Sequence, residues 1–158
     1  MEAPAQKVGE RLKAARAKLV TAESCTGGWA AQVVTSVAGS SAWFERGFVT
    51  YSNEAKRELL GVEENTLRAH GAVSEETARE MAQGALSRGK GTVALAVTGV
   101  AGPGGGTRDK PVGMVCFAWA SERSVSSETR QFTGDRESVR RQSVVRALEG
   151  VLQHLERG

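Results

Sequence analysis

The chain lacks any apolar run long enough to cross a bilayer: its longest, residues 114–120, falls far short of the roughly 20 residues a spanning helix needs. Residues 1–18 mix charged and small side chains (Lys7, Glu10, Arg11, Lys13, Arg16) without the apolar segment of a secretory leader, which predicts a cytoplasmic protein. Cysteine and histidine are scarce, two of each. Cys25 and Cys116 stand far apart, with only His70 and His154 to join them, and no zinc-type spacing occurs, so no metal is expected. A reducing compartment argues against a disulfide, and Cys116, inside an apolar run, reads as a buried thiol. Also missing are G-x-x-x-x-G-K-[ST] and G-x-G-x-x-G, the fingerprints of ATP and dinucleotide sites. There is no G-x-S-x-G elbow, and neither histidine sits in a motif that suggests a Ser-His-Asp triad. Ser87-Arg88-Gly89-Lys90 matches S-x-x-K formally, but S-D-N and K-T-G are absent, which leaves a penicillin-recognising site unsupported. Charge of one sign is not concentrated either: 21 Lys and Arg against 18 Asp and Glu give a net +3, without the interleaved aromatics of a nucleic-acid surface.

What is present suits one domain, residues 1–158, large enough to build a core without a staple or metal. Val8, Leu12 and Ala15 mark a first amphipathic helix, residues 18–23 a strand, Thr26-Gly27-Gly28 a turn, and residues 29–37 a helix. Residues 47–52 carry the β-branched and aromatic content of a strand. Asn53 can cap a helix over 54–60 closed by Gly61, and Ser74 another with Ala78, Met81, Ala82, Ala85 and Leu86 on one stripe. Residues 92–97 form a nearly continuous apolar run, as in a strand covered on both faces. Gly99 to Gly106 must be a loop. Residues 112–120 and 124–132 read as an antiparallel pair, and Asp135 caps a last helix with Val144, Leu148, Val151, Leu152 and Leu155 on one face. The alternation predicts an α/β three-layer sandwich: a mixed sheet of about five to six strands with helices on both faces, and ligands where strands end in loops.

Three segments place reactive side chains beside permissive backbone. In Ala22-Glu23-Ser24-Cys25-Thr26-Gly27-Gly28, glycines and outward-pointing amides at a helix start would let an anion or oxyanion approach, and Ser24 could be a nucleophile or merely a cap. In Val49-Thr50-Tyr51-Ser52-Asn53-Glu54-Ala55-Lys56, the only tyrosine precedes one of six lysines. A desolvated lysine can lose its proton and serve as a base where an arginine cannot, whereas an exposed lysine on a first helical turn would do nothing. The loop from Thr98 to Thr107 could present backbone amides as an anion nest or simply be mobile. His70 reads as a loop or helix-end residue and His154 as a surface one. Arg136, Arg140 and Arg141 could meet phosphate, with a solvated helix face as the plainer reading.

Taken together, Ala22 to Gly28, Tyr51-Ser52-Asn53 with Lys56, His70-Gly71-Ala72-Val73-Ser74, Thr98-Gly99-Val100-Ala101-Gly102-Pro103 and Pro111-Val112-Gly113 resemble the CinA C-terminal domain family, the nicotinamide-nucleotide amidohydrolases. The match runs in order from about Val8 to Leu155. The resemblance implies metal- and cofactor-independent deamidation of nicotinamide mononucleotide to nicotinate mononucleotide and ammonia, a pyridine-nucleotide salvage step. It carries a serine nucleophile onto Ser24, assisted by Lys56 and Tyr51. Lys56 would take the Ser24 proton directly or through Tyr51, and amides around Cys25 to Gly27 would form an oxyanion hole. Cys25, Thr26, Gly27 and Gly28, with Thr98, Gly99, Gly102, Gly104 and Gly105, make up the expected substrate-binding set. Family proteins often carry this domain behind a molybdopterin-binding-like one, so the chain resembles the stand-alone form or an excised domain. A homo-oligomer is the common default. The competing class is a non-catalytic nucleotide- or protein-binding domain linked to competence or DNA damage, and Cys25 is a competing nucleophile. The distance from Lys56 to Ser24 separates enzyme from binding module.

Overall fold

The computed structural model describes residues 1–157. Helix α1 (Glu2–Ala14) buries Ala5, Val8, Gly9 and Leu12. Ala15, expected on that stripe, caps the helix exposed, and Ala5 takes its place one turn earlier. Strand β1 (Leu19–Glu23) is buried throughout and runs through a turn into α2 (Trp29–Thr35). After a 3-10 turn, Ser40–Ala42, comes β2 (Phe44–Val49). It begins and ends three residues before the expected 47–52 because its partner runs out: β1 pairs with it from Leu19 opposite Phe44 to Glu23 opposite Val49, then turns away at Ser24. Residues 50–52 are thereby released from the sheet. Ser52, not Asn53, caps α3 (Asn53–Leu60), its hydroxyl accepting from Ala55 N at 3.0 Å, and Gly61 closes that helix at φ 69°.

Helix α4 (Glu64–His70) was not expected; it buries no residue, so it has no apolar stripe for periodicity to reveal, and His70 ends it. Helix α5 (Glu75–Arg88) is capped by Ser74 as expected, followed by β3 (Val93–Gly99), β4 (Met114–Ser121), β5 (Val125–Gln131) and α6 (Arg136–Arg157). Asp135 caps α6, accepting from Ser138 N at 2.9 Å. His154 is not a surface residue: it lies at 4% exposure on the buried face of α6, its Nε2 3.0 Å from Ser121 Oγ. Its position, three residues past Val151 on the same face, already placed it inward.

The five strands form one mixed sheet in the order β2-β1-β3-β4-β5, parallel across the first three and antiparallel across the rest. Its two faces differ in bulk. Leu19, Leu95, Phe117 and Trp119 fill the face under α1, α2 and α6. The opposite face is mostly alanine (Ala22, Ala94, Ala96, Ala118, Ala120), so α5 can lie close on it through Ala78, Ala82 and Ala85. The chain leaves β1 toward the first face and leaves β2 toward the second, through α3, α4 and α5. The carboxyl ends of β1, β2 and β3 therefore open a crevice at the point where the winding reverses, where ligands of such sheets are held.

Helix α3 is docked on α5 through Gly84, where an added Cβ would lie 1.8 Å from the Leu60 carbonyl oxygen. Gly84→Ala should force the helices apart and destabilise the fold by about 1–3 kcal/mol, read as a lower urea midpoint. An unchanged midpoint would show that this close approach is not required.

Candidate active site

Each parallel strand delivers one part of a cavity of about 240 Å³. Ser24 and Cys25 follow β1, Thr98 and Gly99 end β3, and Tyr51 follows β2; Lys56 rises from α3 and Arg136 from the start of α6. Lys56 and Leu60, four residues apart, are the only buried residues of α3, so the lysine occupies the helix face that packs inward. It is 1% exposed, which overturns the reading of a solvated lysine. Its Nζ lies 2.9 Å from Ser24 Oγ, 3.0 Å from the Thr50 carbonyl oxygen and 3.3 Å from that of Tyr51.

This arrangement suits a neutral amine. Carbonyl oxygens can only accept, so Thr50 and Tyr51 take the two N–H bonds and leave the lone pair for the one partner able to donate, the Ser24 hydroxyl. Burial lowers the Lys56 pKa from its ordinary 10.5, opposed by the charge of a Cys25 thiolate, and among the described residues no carboxylate forms a salt bridge with it. Cys25 is shifted the opposite way. Burial, then the nearby Glu23 charge, push its thiol up to about 12, so the nucleophilic thiolate is disfavoured at neutral pH. It is Ser24 Oγ, not the Cys25 thiol, that lies within hydrogen-bond distance of Lys56 Nζ.

Tyr51 is 63% exposed; its phenol oxygen lies 3.3 Å from Arg136 Nη2, and only its backbone carbonyl meets Lys56. Lys56 Nζ thus meets Ser24 Oγ directly, with the Tyr51 phenol turned to Arg136 instead. Cys25, Thr98 and Gly99 line the cavity, whereas Thr26, Gly27, Gly28, Gly102, Gly104 and Gly105 do not. Thr26 is buried and its hydroxyl donates to Glu23 Oε1 at 2.6 Å. The same carboxylate accepts from Ala30 N at 2.8 Å and Ala31 N at 3.1 Å, so these amides at the start of α2 are engaged internally rather than open to an anion. Gly27 and Gly28 supply φ of 60° and 103°, the backbone that lets the chain turn between β1 and α2. Thr98 donates its hydroxyl to the Ala72 carbonyl at 2.8 Å and holds the segment before α5 against the site. Gly102 accepts from Arg136 Nη1 at 2.8 Å, while Gly104 and Gly105 are exposed.

Glu23, Arg136 and Arg140 were missed as site residues. Arg136 and Arg140 were assigned to a solvated face, yet they lie four apart on α6 and both turn toward the Ser24 side of the molecule. For Glu23 the available signal was an acid closing a short, mostly apolar strand, a position that requires donors once the strand is buried.

The family model described as the CinA C-terminal domain matches residues 1–155. The nicotinamide-nucleotide amidohydrolase PncC of Escherichia coli strain K12 is 55% identical over 149 residues, spanning 94% of this chain and 90% of that protein. Its counterpart from Pseudomonas putida is 53% identical over 149 residues, spanning 94% and 93%. A crystal structure of a CinA superfamily protein from Klebsiella pneumoniae superposes with a TM-score of 0.96 at 38% identity, covering 99% of this chain and 98% of that one.

Both cysteines are buried, unpaired and raised in pKa. A disulfide-exchange reagent at pH 8 should modify neither within minutes in the native protein and both after unfolding in urea. Rapid reaction of one native thiol would return Cys25 to contention as the nucleophile.

Proposed function

The chain belongs to the CinA C-terminal domain family, and on that premise we propose that it deamidates nicotinamide mononucleotide to nicotinate mononucleotide and ammonia, with Ser24 as nucleophile and Lys56 as its base. The observation that carries this reading is the 2.9 Å contact between Lys56 Nζ and Ser24 Oγ inside the cavity. Neutral Lys56 takes the hydroxyl proton as Oγ bonds to the carboxamide carbon, and the carbonyl electron pair moves onto oxygen. The resulting ammonium gives that proton to the departing nitrogen, the C–N bond breaks, and ammonia leaves an ester on Ser24. Water, deprotonated by the same amine, attacks the ester and frees the acid and the serine.

The cavity fits this substrate in charge. Among the described residues its lining holds no carboxylate, and Arg136 stands where a phosphate could enter. The pyridinium of the substrate would disfavour the protonated lysine further, which sharpens the base when substrate is bound. Tyr51 contributes its carbonyl to Lys56 and its phenol to Arg136, an assisting role at the rim. Two unpaired cysteines suit a reducing compartment, and we place the enzyme in the cytoplasm.

A merely binding domain would gain nothing from a desolvated lysine against a serine, so the enzyme reading is preferred. Chelator-treated protein should release ammonia from nicotinamide mononucleotide. Lys56→Met should lower kcat by about 10²–10⁴-fold and Ser24→Ala at least as far. Because the amine must be neutral, kcat/KM should rise with pH through a pKa below the ordinary 10.5, and this limb should vanish in Lys56→Met. Binding of the mononucleotide without ammonia release would leave a nucleotide-binding domain, and turnover that survives Ser24→Ala would remove the serine mechanism.

A further inference from the structure

Arg140 does not line the cavity, yet it makes two hydrogen bonds to the backbone beside the nucleophile: Nε donates to the Cys25 carbonyl at 3.1 Å and Nη2 to the Thr26 carbonyl at 3.1 Å. Those carbonyls belong to a turn in which Gly27 N donates back to the Ser24 carbonyl at 3.0 Å. The peptide joining Cys25 to Thr26 is trans, the only cis bond among the described residues being Gly102–Pro103, so its N–H points opposite to its C=O. With the carbonyl turned outward to Arg140, the Thr26 N–H faces inward. In a serine turn the amide of the third residue bonds the first residue's side chain; in this turn, among the described residues, no such bond forms and the Thr26 N–H is left free on that side. Here that side chain is the nucleophile. The amides of Ser24 and Gly27 are engaged, by the Val97 and Ser24 carbonyls, whereas among the described residues the Thr26 N–H meets no protein acceptor.

Resting on the amidohydrolase reading above, we propose that Arg140 is a positioning residue, which holds the Cys25 and Thr26 carbonyls outward and so aims the Thr26 N–H at the oxyanion formed when Ser24 attacks. Without the clamp the Cys25–Thr26 peptide is free to flip. A flip replaces the donor by carbonyl lone pairs facing the developing negative charge, a loss felt in the transition state and hardly in substrate binding. The planar fork of arginine serves both carbonyls at once, which one ammonium does not. Arg140 is kept in place by Trp29, whose ring lies 5.4 Å from its guanidinium carbon, and Glu23 braces the other side of the turn through the Thr26 hydroxyl. Arg141 provides the control: it also lies over Trp29, at 5.3 Å, but pairs with Glu137 and touches no carbonyl of the turn.

The test is ammonia release from nicotinamide mononucleotide by Arg140→Met, Arg140→Lys and Arg141→Met, with thermal unfolding run on each. Arg140→Met should lose about 10–100-fold in kcat with KM within about twofold, Arg140→Lys should fall between it and the parent, and Arg141→Met should match the parent. The labelling rate of Ser24 by a fluorophosphonate, whose tetrahedral adduct uses the same donor, should follow the same order. That second measurement needs no nucleotide: a parent protein that labels but releases no ammonia removes the substrate assignment and still reads the clamp. Parent-like kcat and labelling in a folded Arg140→Met, or in Arg140→Lys if the methionine variant does not fold, would overturn the proposal. So would a rise in KM at constant kcat, which would make Arg140 a substrate-binding group.

Discussion

Everything at the candidate site depends on one desolvated amine. Lys56 is enclosed to 1% exposure with three oxygens around its nitrogen and, among the described residues, no carboxylate in a salt bridge with it. An ammonium in such a place has lost water and gained only neutral acceptors, so its charge is disfavoured. Two of those acceptors are main-chain carbonyls just beyond β2, and they are available because β2 ends at Val49. Had the strand continued to residue 52, as composition suggested, Thr50 and Tyr51 would have been drawn into the sheet instead of bending round the lysine. The early end of one edge strand therefore helps to build the surroundings of the proposed base.

The proposed nucleophile, Ser24, is built with comparable economy of parts. Glu23 faces inward at the end of β1 and organises the turn after it by accepting from Thr26 Oγ1 and from two amides of α2. Arg140 holds the outer side through two carbonyls. A serine whose backbone is fixed from both sides and whose hydroxyl meets a buried amine is held in one geometry, which is what the proposed attack requires. The glycines contribute less directly than their density implies: Gly27 and Gly28 provide the turn, while Gly104 and Gly105 stand exposed and away from the cavity.

Much of this was legible from the residues. The α/β sandwich, the buried strand β3, the β4–β5 pair and the Ser74 and Asp135 caps follow from periodicity and capping chemistry, and the five-stranded sheet lies within the expected range. Ser24 and Lys56 stood out because their residue types beside permissive backbone are chemically useful, and the family resemblance joined them across 32 positions that no local pattern spans. What escaped was decided by partners distant in sequence. Arg140 reads as one more solvated arginine until the folded chain brings α6 over the turn after β1 and sets it against Cys25, 115 positions away. His154 reads as polar surface until Ser121 on β4 meets it. Helix α4 buries nothing and so writes no stripe into the sequence.

The central claim is that burial lowers the Lys56 pKa below its ordinary value, and the titration of Lys56 itself tests this most directly. In protein carrying ¹⁵N-labelled lysine, the Lys56 side-chain nitrogen resonance followed against pH, assigned by its loss in Lys56→Met, should titrate below the ordinary 10.5. A Lys56 resonance that titrates at or above the ordinary value would contradict the account: the amine would then be a cation held by carbonyls, unable to take the serine proton.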